Sequence, residues 1–372
     1  MGALRVVRAT GDAATRGQHI GRELRDLINE SIDFYHRYLS RRGVSSQQLQ
    51  DLLTPYLVAS ESRFPSLMTL LKAMAVGATV PVLELFAVNA FEELEPRLQA
   101  PEGDLLFLQR KEGYLEPPPP VEPRTPTDRC SSFTVAGPST TILAHNEHWL
   151  AGDRGNVAIV TEEPDDRPVS IISPTIVCCL PAVGVNGYGG AQGIGSLTAS
   201  DDRVGVPRVL VSRHALEAID RQDALARAGH PARAGGYGHV YAFATGDAFT
   251  VETTARQVAV LDGPGPHTNH YLDPGLAALG PEPALGSVAR LERLRLLLDE
   301  RRPTTAPEAM EILRDHDSTP QAICLHPDPE EGEEASAVMF SMVADLGEGR
   351  MWVAPGNPCE TEYEEVDMSG VL

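Results

Sequence analysis

The chain has 372 residues, 42% hydrophobic and 22% charged, which excludes wholesale disorder and allows one large domain or two ordinary ones. Its 52 acidic and 31 basic side chains give a formal charge of −21 at pH 7, which repels a phosphate backbone and sets nucleic-acid binding aside. The opening "MGALRVVRATGD" lacks the apolar run of a secretory signal. The most apolar stretch, "VSIISPTIVCCLPAVGV", is too interrupted by prolines and hydroxyls for a membrane span. Five cysteines with no CxxC spacing disfavour both a disulfide framework and a zinc ribbon, so the expected compartment is a reducing cytoplasm.

Residues 1–100 read as helical. "ATRGQHIGRELRDLINESIDFYHRYLSRRG" sets Ile20, Leu24, Leu27, Ile28, Phe34, Tyr35 and Leu39 roughly along one stripe, with Gly43 placed to end it. "SQQLQDLLTPYLVAS", "PSLMTLLKAMAVG" and "PVLELFAVNAFEEL" each open on Ser or Pro, as helices often do. Residues 101–129 contain "EGYLEPPPPVEPRTPT", whose prolines lack donors and fix φ, so an extended connector is expected there.

From Cys130 onward the alternation is strand-like. "CSSFTVAGPSTTILAHN" predicts a hairpin turning near Gly137-Pro138, which would set Asn146 opposite Cys130 and His148 on the same face. Further strand runs are "NVAIVTE", "PVSIIS", "TIVCCL", "HVYAFAT", "AFTVETT", "QVAVLDG", "ASAVMFSMVADL" and "RMWVAPG". Helices interrupt them at "PRVLVSRHALEAIDR", "GSVARLERLRLLLDE" and "TAPEAMEILRDH". Clustered strands with grouped helices indicate α+β with antiparallel sheets.

A cysteine that becomes a chain terminus carries its own base. Its α-amine, of pKa about 8, lies close enough to deprotonate the thiol. The glycine-rich "GVNGYGGAQGIGS" lacks the context of a dinucleotide site and reads as a structural turn, with Asn186 capping it or lining the site. "HNEH" and "HTNH" invite a metal, but residues three apart on a strand face opposite sides, so neither pair chelates and no metal is expected. Cys178, Cys179 and Cys324 read as core residues in apolar strands.

Seven pieces in the same order resemble one family: "VPVLELFAVNAFEEL", "DRCSSF", "AHNEHW", "GVNGYGG", "GVPRVLVSRHALEA", "PHTNHYL", and the C-terminal "ICLHPD" with "WVAPGNPCETEY". The chain resembles the group of isopenicillin N acyltransferase and carcinine hydrolase, which are N-terminal-nucleophile (Ntn) cysteine hydrolases. The resemblance implies a four-layer αββα sandwich of antiparallel sheets, with residues 1–100 as a helical prosegment and 130–372 as the catalytic domain. It implies cleavage between Arg129 and Cys130, Cys130 as nucleophile, and Asn269 as a side-chain donor to the oxyanion. Asn146, His148, Asn186 and His267 are the expected supporting residues. The implied substrate is a small-molecule amide of secondary metabolism, with acyl-coenzyme A or an amine as co-substrate if the acyl group is transferred. No cofactor is implied, and prosegment and catalytic fragment would stay associated. The family pattern usually has Asp where this chain has His148, Arg at Leu325, glycine at Arg129 and often Asn at Gly195. Three accounts follow: a shifted substrate range, slow processing, or an unprocessed, non-catalytic relative that binds a ligand or partner in the old site.

Overall fold

A computed structural model describes residues 4–98, 129–137, 140–167, 169–317 and 319–371. The expected proline-rich connector lies outside them, except for Arg129. The chain opens on strand β1 (Arg5–Gly11), which the helical reading of residues 1–100 passed over. Helices α1 (Ala13–Glu23), α2 (Arg25–Arg41), α3 (Ser46–Arg63), α4 (Pro65–Ala78), α5 (Val82–Asn89) and α6 (Phe91–Leu98) follow. Local chemistry sets their ends. The Asp12 carboxylate accepts the Thr15 amide at 2.8 Å, and Ser45 and Gln48 form a capping box. Gly43, at φ 69°, ends α2 as expected: its N–H reaches Ser40 O and the next reaches Leu39 O. The single long helix read across α1 and α2 is broken at Leu24.

The remaining strands build two sheets. One has six strands in the order β11-β2-β3-β12-β13-β14, all antiparallel: β2 (Ser131–Gly137), β3 (Thr140–Leu150), β11 (Pro266–His267), β12 (Ser336–Asp345), β13 (Arg350–Pro355) and β14 (Glu364–Val366). The other runs β1-β4-β5-β6-β7-β8-β9-β10, with β4 (Val157–Pro164), β5 (Ile171–Ile176), β6 (Gly184–Asn186), β7 (Gly190–Leu197), β8 (Gly236–Phe243), β9 (Ala248–Thr253) and β10 (Val258–Asp262). Only its β1–β4 pair is parallel among the described residues.

Apolar faces dictate the layering. α10 (Leu285–Arg301) and α11 (Ala306–Leu313) cover the six-stranded sheet through Leu294, Leu297, Ile312 and Leu313 against Phe133, Ile142, Ala144 and Val343. α7 (Arg208–Ala215) and α8 (Arg221–Ala228) cover Tyr241, Phe243, Phe249 and Val251 of the other sheet. A short helix, α9 (Pro274–Ala277), precedes α10. The fold is thus the expected α+β, αββα sandwich, with one correction to its organisation. The N-terminal segment supplies an edge strand through β1, and its helices share one hydrophobic core with both sheets.

Buried ion pairs tie α1, β4 and α7. Glu162 accepts Arg16 Nε and Arg213 Nη2, both at 3.0 Å. Burial alone would raise the Glu162 pKa, but Arg213, Arg167 and Arg16 outweigh it and hold it below the usual range. Among the described residues no helix is long and apolar enough to cross a membrane.

Candidate active site

The β2–β3 register decides what surrounds Cys130. Gly137 pairs with Thr140 and Ser131 with Asn146, so Glu147 lies across from Cys130. The expected pairing was off by one residue, and side chains alternate faces along a strand, so the error exchanges the two faces. Ser132, His145 and Glu147 face the other sheet, and Cys130 with them. Asn146 faces the helical layer, where its amide donates to Leu313 O (3.0 Å) and Ile323 O (2.9 Å). It does not reach the cavity beside Cys130.

Cys130 is 3% exposed yet lines a cavity of about 50 Å³ between the sheets. Glu92, Glu147, Trp149, Cys179, Ser196 and Tyr237 share its wall with a largely apolar remainder. The space suits a water-sized occupant. The Cys130 thiol donates to Glu147 Oε1 at 3.3 Å. His145 Nε2 holds the other Glu147 oxygen at 2.9 Å, and its Nδ1 meets Ser132 Oγ at 2.8 Å. With neutral His145, Ser132 donates to Nδ1 and Nε2 donates to the carboxylate. Cys130, His145 and Glu147 therefore converge. Burial, and then the Glu147 charge, push the Cys130 thiol well above its usual range, so it is neutral in the intact chain.

The peptides on either side of the Arg129–Cys130 bond are held in place. Asn269 Oδ1 accepts the Arg129 amide at 2.9 Å, and Arg290 Nη2 approaches Cys130 O at 3.4 Å. The Arg129 guanidinium binds Glu95 at 2.8 Å and stacks 4.2 Å above the Trp149 ring. Arg290 also donates to Asn269 Oδ1 at 2.7 Å. A guanidinium only donates, so the Asn269 amide is oriented, and its Nδ2 faces Ser196 O at 3.3 Å.

The other expected residues sit as follows. His148 donates toward Ile323 O (3.3 Å) and lies beside the Arg129 backbone. Burial, with Arg290 and His145 nearby, holds its pKa well below the usual range, leaving a neutral imidazole. Asn186 is spent on a turn, donating to Leu216 O and Ala218 O and accepting from the Tyr188 and Gly190 amides. It does not line the cavity. His267, two residues before Asn269, binds Glu252 at 2.8 Å and borders Gly238, outside the cavity wall. The sequence reading passed over Glu147, Glu92, Ser196 and Arg290. Glu147 was recoverable from a hairpin with a loop one residue longer; the others come from distant elements. Cys178, Cys179 and Cys324 lie outside the strands, and Cys179 faces the cavity.

The family model described as acyl-coenzyme A:6-aminopenicillanic acid acyl-transferase matches residues 135–360, more than half of the chain. The chain belongs to that family. It is an enzyme of the Ntn amide hydrolase and acyltransferase type. Cys130 precedes the span matched to the acyl-transferase family by five residues. Among solved structures, penicillin V acylase from Agrobacterium tumefaciens is 12% identical, with a TM-score of 0.41 covering 61% of this chain and 82% of that one. A variant of conjugated bile acid hydrolase from Clostridium perfringens is 11% identical, with a TM-score of 0.43 covering 64% and 92%. A comparison with curated proteins finds no match.

Proposed function

We propose that the chain cleaves itself between Arg129 and Cys130, and that the freed Cys130 then opens small-molecule amides through an acyl-thioester. The observation that carries this reading is the Cys130 sulfur on a cavity wall, 3.3 Å from a carboxylate, beside a bond whose flanking amide (Arg129 N–H) and carbonyl (Cys130 O) are met by Asn269 and Arg290. In the intact chain no α-amine exists at Cys130, and Glu147 takes its place as base. The thiol proton passes to Glu147 as sulfur attacks the Arg129 carbonyl carbon. The C–N bond then breaks, the departing nitrogen takes a proton, and water opens the thioester to leave a carboxyl on Arg129 and a free thiol and amine on Cys130.

In the mature enzyme the α-amine takes the thiol proton, and the thiolate attacks a substrate amide. Asn269 suits the oxyanion because its amide has two donors and, among the described residues, only one is spent, on Ser196 O. The leaving amine departs with a proton. Water then releases an acid, or an amine captures the acyl group; acyl-coenzyme A could load the same thiol. The apolar wall of Trp149, Ile176, Leu180 and Ile194 favours an apolar acyl group. The departure of Arg129 from the Trp149 face would widen the cavity that Trp149 lines. Residues 1–129 stay bound to 130–372 because their helices share one core with both sheets.

Intact-mass spectrometry with a denaturing gel tests the reading. Wild type should give two fragments, residues 1–129 and 130–372, that co-elute in native gel filtration, while Cys130→Ala should remain whole and fail to hydrolyse model amides. A wild-type chain that stays intact, or equal hydrolysis by both proteins, would sink the assignment and favour a non-catalytic binding protein.

A further inference from the structure

The HxxH pairs do not gather: His145 and His148 take opposite faces of β3, and His267 and His270 turn to Glu252 and Ser287. Four other residues do. His316 follows α11, Cys324 and His326 precede β12, and Cys359 follows β13. Their ligand atoms all lie within 4.8 Å of one another. His316 Nε2 and His326 Nε2 are 3.1 Å apart, His326 Nε2 and Cys359 Sγ 3.3 Å, and the two sulfurs 3.5 Å.

Tetrahedral zinc, with Zn–S about 2.3 Å and Zn–N about 2.0 Å, spaces its ligand atoms roughly 3.3–3.8 Å apart. These three gaps come within a few tenths of an ångström of that cage, and the remaining pairs lie within 4.8 Å. Hydrogen bonding alone accounts for it poorly. His326 Nε2 has one proton or one lone pair, yet it faces both a second imidazole nitrogen and a sulfur. The surroundings resemble an outer coordination shell. The other His326 nitrogen lies 3.5 Å from the Glu360 carboxylate, and Asn357 Nδ2 donates to Cys324 Sγ at 3.4 Å. The sulfurs are far too distant for a disulfide bond.

We propose that His316, Cys324, His326 and Cys359 bind one structural zinc ion, as two neutral imidazoles and two thiolates. Two sulfurs and two nitrogens in a tetrahedron select zinc over harder cations. Four protein ligands leave no open position, so the ion is structural. It would pin the Cys324–His326 segment to the Cys359 segment. The neighbouring Ile323 carbonyl is the one that accepts from Asn146 and His148, so the ion braces the back of the strand facing Cys130.

The test uses the full chain, purified with a thiol reductant, and two readouts. Metal analysis should find one equivalent of zinc, absent from Cys359→Ser and from His316→Ala. After chelation, added cobalt(II) should give thiolate-to-cobalt charge-transfer absorption and intense tetrahedral visible bands that zinc abolishes. Cys359 and His326 are exposed, so Cys359→Ser should fold. Cys130→Ala should keep the spectrum, which separates this site from the Cys130–His145–Glu147 cluster. A zinc-free chain that gives no such cobalt spectrum overturns the proposal. So does an unchanged spectrum in Cys359→Ser, or its loss in Cys130→Ala.

Discussion

Glu147 stands between two residues that sequence reasoning chose and is the one that touches the sulfur. Strand alternation makes this a matter of one residue in register, and nothing in "AHNEHW" reveals which alternate pair of its four polar side chains faces inward. Glu147→Gln preserves shape and the contact with His145 but removes the base. Fragment formation should slow by about 10²–10⁴ at unchanged circular dichroism. Processing at the wild-type rate would assign the proton to another group. Cys130 and Asn269 entered through the resemblance, and the fold sets Asn269 against the amide of Arg129, the residue before Cys130. Arg290, which orients Asn269 from α10, did not. Its "ARLERLR" neighbourhood reads as an ordinary amphipathic helix.

Glycine marks where elements meet. The stretch read as a glycine-rich turn does turn at Asn186–Gly189, but it continues into β7, a strand inside the eight-stranded sheet. A Cβ on Gly195 would lie 2.8 Å from Thr268 O and 3.8 Å from Asn269 Nδ2, so the missing side chain is space that the asparagine loop occupies. In α1, a Cβ on Gly21 would overlap the Met74 carbonyl oxygen of α4. Gly21→Ala gains roughly 1 kcal/mol of helix propensity. It must also separate two helix backbones, and overpacking typically costs about 1–3 kcal/mol even where side chains can yield. Backbone cannot yield locally, so the clash wins and the thermal midpoint should fall. An unchanged or raised midpoint would show that the α1–α4 contact is soft. Periodicity located the other helices because their buried stripes are regular. It missed β1 because a short edge strand with exposed Arg5 and Val6 has little pattern of its own.

Across the whole molecule, the N-terminal helices and the catalytic sheets meet at Asp153, fully buried just after β3. It accepts from Tyr35 OH of α2 at 3.2 Å and from Asn156 at 3.0 Å, and the same Tyr35 hydroxyl accepts Trp149 Nε1 at 2.5 Å. Burial, only partly offset by these hydrogen bonds, pushes the Asp153 carboxyl up to about 6. Its folded value lies above the unfolded one, so its contribution to stability is full below pH 4 and fades as pH rises through 6. Asp153→Asn removes that dependence. The variant should gain on wild type by up to about 3 kcal/mol between pH 4 and 7, read from paired denaturant titrations. Parallel curves would mean that Asp153 titrates normally.

By itself the sequence determined the α+β class, the helices with regular stripes, the hairpin that begins at Cys130 and, through ordered motifs, the family. Those features depend on neighbours a few residues apart, or on motif order, and both can be read along a line. Tertiary structure decided the rest: the register that presents Glu147, the strand that the first residues add, the helix that sends Arg290 to Asn269, and the meeting of two histidines with two cysteines. The register turns on a single residue in the hairpin loop; the other three join separate elements, where closure and packing choose the partners and no local pattern encodes that choice.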